Sequence, residues 1–182
     1  TVRIDRVEFP SAGATVRGLY YHLADEPPRT CLVLCHGYSA GKHNLDALAL
    51  YLAIERYGAL TFDFLGHKLG ASSGTLRAAE DLLTNALDAV AWVRHHSGAA
   101  RVIVCGHSMG AGVAIGAGVV DASIAGVAAL STALRRSEAF FQGAIGGGLK
   151  NRQAYVDGPP AAEITEAVDR YTARIAEIAP WK

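Results

Sequence analysis

The chain has 182 residues, a length that suits one domain with a substantial hydrophobic core. Its 17 basic and 17 acidic side chains give a formal net charge of zero, so its composition argues against a nucleic-acid partner. No apolar run reaches the roughly 18 to 20 residues that span a bilayer, and the N-terminal TVRIDRVEFP is too charged for a signal peptide. We expect a cytoplasmic protein with no membrane or nucleic-acid partner.

The three cysteines also favour a cytoplasmic location. Cys31, Cys35 and Cys105 each fall in an apolar, strand-like run. Cys31 and Cys35 are four apart on one predicted strand, about 13 Å at the usual rise, which is too far for a disulfide. An odd number of buried thiols indicates small apolar residues in a reducing compartment.

The first half of the chain predicts a mixed sheet. Residues 3–9 and 15–23 alternate apolar and polar side chains around the turn sequence PSAGA, which predicts an antiparallel hairpin at a sheet edge. Residues 31–37 and 58–64 are continuous apolar runs, and residues 44–58 between them have helical spacing. This strand, helix, strand order with fully apolar strands predicts a parallel sheet.

The pattern then repeats before the character of the chain changes. Residues 75–96 predict a helix, followed by strands at 101–106 and 124–132. After Thr132 the chain is rich in glycine without a strand period, and an amphipathic helix is predicted at 161–178. In the helix predicted over 75–96, one apolar face carries Leu82, Ala86, Val90 and Val93.

A G-x-S-x-G sequence joins one predicted strand to the next helix. It consists of Gly106, His107, Ser108, Met109 and Gly110. A serine on such a sharp turn is strained and exposed, and the flanking glycines let the turn pack closely. The following helix directs its N-terminus at the serine and favours negative charge there. The pattern predicts Ser108 as a nucleophile; the alternative is a glycine-rich turn with an incidental serine.

The loop LCHGYSAG follows the third predicted strand. An ester carbonyl oxygen becomes negative in the tetrahedral intermediate and needs preorganised N–H donors. Tyr38 could supply one backbone N–H and Met109 the other, while His36 and Gly37 shape the turn. We therefore predict an oxyanion hole formed by Tyr38 and Met109.

The loop DFLGHKLGASSG follows the fourth predicted strand. Asp63 and the glycines predict a structured loop at the carboxyl edge of the sheet, where ligands bind in open α/β folds. His67 lies here, and we interpret it as a loop residue, with a catalytic part as the alternative.

Taken together and in this order, the HGY loop, the DFLGH loop and the GHSMG elbow resemble the α/β-hydrolases, close to lidded bacterial carboxylesterases and related serine peptidases. The similarity covers nearly the whole chain. It implies an α/β-hydrolase-like, mainly parallel sheet with flanking helices, a core over residues 1–133 and a partial lid over 134–182. It places the nucleophile on Ser108 and the oxyanion donors on Tyr38 and Met109, with His36, Gly37, Gly106, His107 and Gly110 supporting the motifs. No cofactor and no metal are predicted.

The chain departs from the family in two places. The loop after Asp63 is two residues longer than the usual spacing, and the family places its acid and histidine after the lid, on two further strands. None of the seven histidines follows His107, so the C-terminal strands, the acid and the histidine are expected to be missing from this sequence. We expect the His107 side chain to point into the fold, and His95 and His96 to close a helix.

The resulting expectation is a serine hydrolase of carboxylic esters, less favourably amides, acting through an acyl-serine intermediate. Its partners would be a small-molecule ester and a C-terminal fragment or second chain that completes the sheet. One alternative is a non-catalytic binding module with an open sheet edge, and another is an acyltransferase or perhydrolase on the same scaffold. Phe140 and Phe141 in the predicted lid indicate an apolar acyl pocket or simple packing.

Overall fold

A six-stranded mixed sheet forms the centre of the molecule. The computed structural model describes residues 1–132 and 148–178. The strands are β1 (Val2–Ser11), β2 (Ala14–Leu23), β3 (Thr30–Cys35), β4 (Gly58–Phe62), β5 (Arg101–His107) and β6 (Gly126–Leu130). Their order in the sheet is β1-β2-β4-β3-β5-β6; β1, β2 and β4 pair antiparallel in turn, and β4, β3, β5 and β6 run parallel. The predicted mainly parallel α/β sheet is therefore confirmed.

The predicted opening hairpin is present and has a two-residue turn. Ser11 pairs with Ala14, and the turn residues Ala12 and Gly13 have φ angles of 48° and 76°. Two consecutive positive φ angles give a turn whose twist matches that of the flanking strands.

Helices cover both faces of the sheet. Val33 and Leu34 of β3 point to opposite faces and are both buried, which explains the continuous apolar run in this strand. After a 3₁₀ turn at Lys42–Leu45, the helices are α1 (Asp46–Ile54), α2 (Asp81–His96), α3 (Met109–Val120) and α4 (Ala161–Ala173). One face of the sheet packs against α1, and the other packs against α2 and α3, with α4 lying on α3. No helix among the described residues is long and apolar enough to cross a membrane.

Three helices are shorter than the sequence pattern predicted. The helix predicted over 44–58 ends at Ile54, because the chain turns through a left-handed Arg56 with φ 68°. The helix predicted from 75 begins at Asp81, whose carboxylate accepts the N–H groups of Arg77 and Ala78 at 3.0 and 3.3 Å. The predicted apolar face of α2 is confirmed, since Leu82, Ala86, Val90 and Val93 are all buried.

The third shortened helix belongs to the predicted lid. α4 ends at Ala173, and a 3₁₀ turn at Ile175–Glu177 follows it. We call residues 148–178 the lid segment; short helical turns at Lys150–Arg152 and Gln153–Tyr155 precede α4 within it. The start of the predicted lid, with Phe140 and Phe141, lies outside the described residues.

Glycines let α4 approach α3 closely. A Cβ at Gly112 would overlap the side chain of Val168, and one at Gly116 would lie 2.8 Å from the ring of Tyr171. The three cysteines are free and buried, Cys31 and Cys35 in β3 and Cys105 in β5.

Candidate active site

Ser108 occupies a strained position between β5 and α3. Its backbone angles are φ 55° and ψ −117°, in a region that residues with a side chain rarely adopt. Its N–H donates to the Leu130 carbonyl of β6 at 2.9 Å, and its own carbonyl accepts the N–H of Ala111 at 3.0 Å. Strain held in place by surrounding bonds is characteristic of functional sites.

The two glycines of the G-x-S-x-G sequence are required by close backbone contacts. A Cβ at Gly106 would overlap the carbonyl of Gly110, and a Cβ at Gly110 would overlap the carbonyl of Cys35 in β3. Any larger residue at either position would therefore push the serine turn away from the sheet.

The loop after β3 lies beside this turn. A Cβ at Gly37 would lie 3.5 Å from Cβ of Ser108 and 3.4 Å from Nδ1 of His107. Tyr38, Ser108 and Met109 line one small cavity of about 50 Å³ at the carboxyl ends of β3 and β5. Among the described residues, no acceptor is found for the backbone N–H groups of Tyr38 and Met109.

Gln153 of the lid segment holds the side chain of Tyr38. The Tyr38 hydroxyl donates to Oε1 of Gln153 at 2.9 Å, and the same oxygen accepts the N–H of Ala161, the first residue of α4, at 2.8 Å. The Gln153 amide nitrogen donates to the Pro159 carbonyl at 3.2 Å. The sequence analysis missed Gln153, because an isolated glutamine in an irregular segment gives no signal.

His36 is a neutral residue that shapes the turn. It is fully buried; its Nδ1–H donates to the Gly37 carbonyl at 2.8 Å, and its Nε2 accepts the N–H of Phe64 at 3.1 Å. These two bonds define the neutral tautomer. Burial, followed by the neighbouring His67, lowers the pKa of His36 to about 3.

A buried ion pair joins the loop after β3 to the loop after β4. Nζ of Lys42 lies 2.7 Å from Oδ2 of Asp63, which also accepts the N–H of Ala71, while Oδ1 accepts the N–H of Lys42. Burial alone would raise the pKa of Asp63, but hydrogen bonds from Lys42 and Ala71 outweigh it and lower that pKa. Asp63 thus lies inside the structured loop that was predicted, whereas its partner Lys42 was missed because a lysine after glycine resembles a surface residue.

His67 lies in the core and does not bond to Ser108. Its Nδ1–H donates to the Leu65 carbonyl at 3.1 Å, and its ring meets that of His36 edge to face at 4.9 Å between centroids. Its Nε2 has no partner among the described residues. Burial lowers the pKa of His67. These contacts favour the interpretation of His67 as a loop residue.

The remaining histidines bond to other residues or are exposed. His107 is exposed, so the expectation that it points into the fold is wrong; it ends β5, and the missing side chain at Gly37 leaves room for its ring. His95 and His96 end α2 as predicted, and Nδ1 of His96 bonds to the Trp92 carbonyl at 2.8 Å. No histidine nitrogen hydrogen-bonds Ser108 in the described part of the chain. His22 and His43 bond to Asp5 and Asp46, respectively.

The sheet order, the strained serine turn and the loops at its carboxyl edge define the class of the protein as an α/β-hydrolase. A family model described as serine aminopeptidase, S33, matches residues 26–171. The chain therefore belongs to this family of α/β-hydrolases, as the resemblance of its three motifs implied.

Solved structures share the fold at low sequence identity. The Pyrococcus furiosus esterase Pf2001 is 20% identical with a TM-score of 0.67, over 99% of this chain and 64% of that one. Est1E from Butyrivibrio proteoclasticus, solved with ferulic acid, is 18% identical with a TM-score of 0.61, over 66% and 50% of the two chains. The hypothetical protein PA2218 from Pseudomonas aeruginosa is 21% identical with a TM-score of 0.62, over 69% and 41%. This chain thus spans between two fifths and two thirds of each relative.

Among functionally curated proteins, none matches the sequence significantly.

Proposed function

We propose that the protein is a serine hydrolase that cleaves carboxylic esters through an acyl-Ser108 intermediate. The observation that carries the proposal is Ser108 itself, a strained serine at the N-terminus of α3 that faces a cavity shared with Tyr38 and Met109. In this proposal the Ser108 hydroxyl attacks the ester carbonyl, and the N–H groups of Tyr38 and Met109 hold the oxyanion. The dipole of α3 favours the same negative charge.

The proton of Ser108 needs an acceptor, which we propose comes from outside the 182 residues. All seven histidines lie among the described residues, and none bonds to the serine hydroxyl. The acid that orients this histidine would come from the same source, either a continuation of the chain or a second chain. In the described structure β6 pairs only with β5, so its other edge is available for a further strand.

Esters are the favoured substrates in this proposal. Pf2001 is described as an esterase, and Est1E binds ferulic acid. The family description names an aminopeptidase, so amide hydrolysis is the nearest variant, and an acyltransferase would differ only in its acceptor. A cytoplasmic location forms part of the proposal, in keeping with three free buried thiols.

The second candidate is a non-catalytic binding module. The observation that favours it is the same lack of a histidine bonded to Ser108 among the described residues. Such a module would bind a ligand or partner through the cavity or the β6 edge without turnover.

The test is labelling of Ser108 by an alkyl fluorophosphonate in the longest expressed form of the protein. We expect labelling that Ser108→Ala abolishes and that Ser123→Ala, an exposed serine outside the cavity, leaves intact. The 182-residue chain alone should turn over p-nitrophenyl acetate barely, because loss of the base costs on the order of 10⁶ in a serine protease. Labelling that survives Ser108→Ala would exclude the assignment, and full-length protein that never labels would favour the binding module.

A further inference from the structure

The lid segment forms part of the wall of the cavity beside Ser108. Its lining comprises Tyr38, Ser108 and Met109 from the core and Leu149, Ile164, Thr165 and Val168 from the lid segment. Among the described residues, four of the seven that line the cavity therefore belong to the lid segment, and three of these lie on two successive turns of α4.

The wall formed by α4 is apolar. Ile164 and Val168 are each 2% exposed, and the Thr165 hydroxyl donates within its own helix to the Ala161 carbonyl at 2.6 Å. Tyr38 likewise directs its hydroxyl to Gln153. Since these polar atoms already have partners, the wall offers methyl groups and ring edges to whatever is attached to Ser108.

The position of this wall is fixed by packing. The side chain of Val168 on α4 fills the space that Gly112 on α3 leaves free. One turn further along α3, Gly116 faces the ring of Tyr171. Gln153 ties the first residue of α4 to Tyr38. α4 is thus held against α3 at one end and against the loop after β3 at the other.

The cavity is small. Its volume is about 50 Å³, and one water-sized group needs about 10–15 Å³ on this measure, so the space accepts about three to five such groups. A longer acyl chain directed toward α4 would meet Ile164 and Val168, which are buried in the contact between α4 and α3.

From this geometry we infer that the cavity is an acyl site for short, unbranched, apolar acyl groups of about two to four carbon atoms, with Ile164 and Val168 setting the length limit. The inference rests on the proposed function for its chemistry. The two can be tested separately, because the cavity can be occupied without turnover.

The first experiment measures turnover of p-nitrophenyl acetate, butyrate and octanoate by the longest active form of the protein. We expect kcat/KM to fall at least about tenfold from butyrate to octanoate. Ile164→Ala should raise the octanoate-to-butyrate ratio about tenfold, and Ile164→Val, a milder truncation, should raise it less. Ile175→Ala removes the same atoms from a partly exposed site outside the cavity and should leave the ratio unchanged. A preference of the unmodified protein for octanoate, or an unchanged ratio in Ile164→Ala, would overturn the length limit.

The second experiment needs no catalysis and uses the 182-residue chain carrying Ser108→Ala. Methyl butyrate and methyl octanoate are titrated while the isoleucine δ1 methyl signals are followed by NMR, with Ile164→Val assigning the signal. We expect saturable shifts at Ile164 with methyl butyrate, weaker shifts with methyl octanoate, and none at Ile175. No response of Ile164 to the short ester would overturn the acyl site. Loss of all turnover in Ser108→Ala supports the proposed function whatever the chain-length profile is, and retained turnover refutes that function alone.

Discussion

At the scale of single residues, the candidate site depends on contacts that allow no substitution. Ser108 keeps its φ of 55° partly because its N–H donates to a carbonyl of β6. Gly106 and Gly110 also contribute, since without side chains they allow close contacts within the turn and with β3. The buried Lys42–Asp63 pair similarly fixes the loop that carries Tyr38 relative to the loop that carries His67. Both features place strain or charge where an ordinary fold would avoid them.

The Lys42–Asp63 pair gives a prediction about stability. Lys42→Met leaves the fully buried carboxylate of Asp63 without its cation, and such losses cost about 3–5 kcal/mol. We expect Lys42→Met and Asp63→Asn each to lower the free energy of unfolding in urea by several kcal/mol, with the double variant losing far less than the sum.

The matched control is the exposed Arg17–Glu8 pair. Glu8→Gln should change the free energy of unfolding by less than about 1 kcal/mol. Additive losses in the Lys42–Asp63 double variant would contradict direct coupling between the two side chains.

At the scale of elements, alternation and apolar runs predicted the six strands of the described residues, and helical spacing predicted α1, α2 and α4 but not where each of these helices begins or ends. The start of α3 was predicted from the serine turn alone. α1 ends earlier than predicted because Arg56 has a left-handed backbone. α2 begins later than predicted because the Asp81 carboxylate accepts the backbone N–H of Arg77. Neither feature changes the spacing of the apolar residues, so periodicity could not predict these helix ends. The G-x-S-x-G motif predicted the serine turn, since its two glycines allow the close backbone contacts that this turn requires. Lys42 and Gln153 could not be predicted, because their roles arise from segments far apart in sequence.

The contact between α3 and α4 gives the next prediction. A methyl group at Gly112 would overlap Val168, so Gly112→Ala should destabilise the protein by about 1–3 kcal/mol despite the better helix propensity of alanine. Gly148→Ala, where a Cβ meets no atom of the described residues within 4 Å, should be neutral or slightly stabilising. Urea unfolding of both variants checks this, and equal stability of the two would show that α4 can move away from α3.

At the scale of the whole molecule, the chain contains a packed core together with an unpaired sheet edge. The parallel strands are buried on both faces, yet the last strand, β6, pairs only with β5 in the part of the chain that the structure describes, and its Leu130 is 43% exposed. The structural match with Pf2001 spans 99% of this chain but 64% of that one. A further strand beside β6 would therefore complete both the sheet and, in our proposal, the catalytic set.

Buried histidines make the stability of the whole fold dependent on pH. Burial lowers the pKa of His36 to about 3 and also lowers that of His67, whereas an unfolded histidine titrates near about 6.5. Below that value the unfolded state binds protons that the folded state does not, so stability falls as the pH is lowered. Because its folded pKa is about 3, His36 should contribute about 1.4 kcal/mol per pH unit below about 6.5, and His67 adds a contribution of the same sign. The Asp63 pKa, also lowered, adds a loss of the same sign only below about 4.

We therefore expect the urea midpoint to be constant above pH 7 and to fall steadily from about pH 6.5 to pH 4.5. His67→Phe keeps an aromatic ring against His36 and Tyr38 but removes one buried group whose pKa is lowered, so it should reduce the slope. His95→Gln alters an exposed histidine at the end of α2 and should leave the slope unchanged. Midpoints that stay flat from pH 7.5 to 4.5 would show that the two buried histidines accept protons in the folded state. An undiminished slope in His67→Phe would assign the pH dependence to groups other than His67.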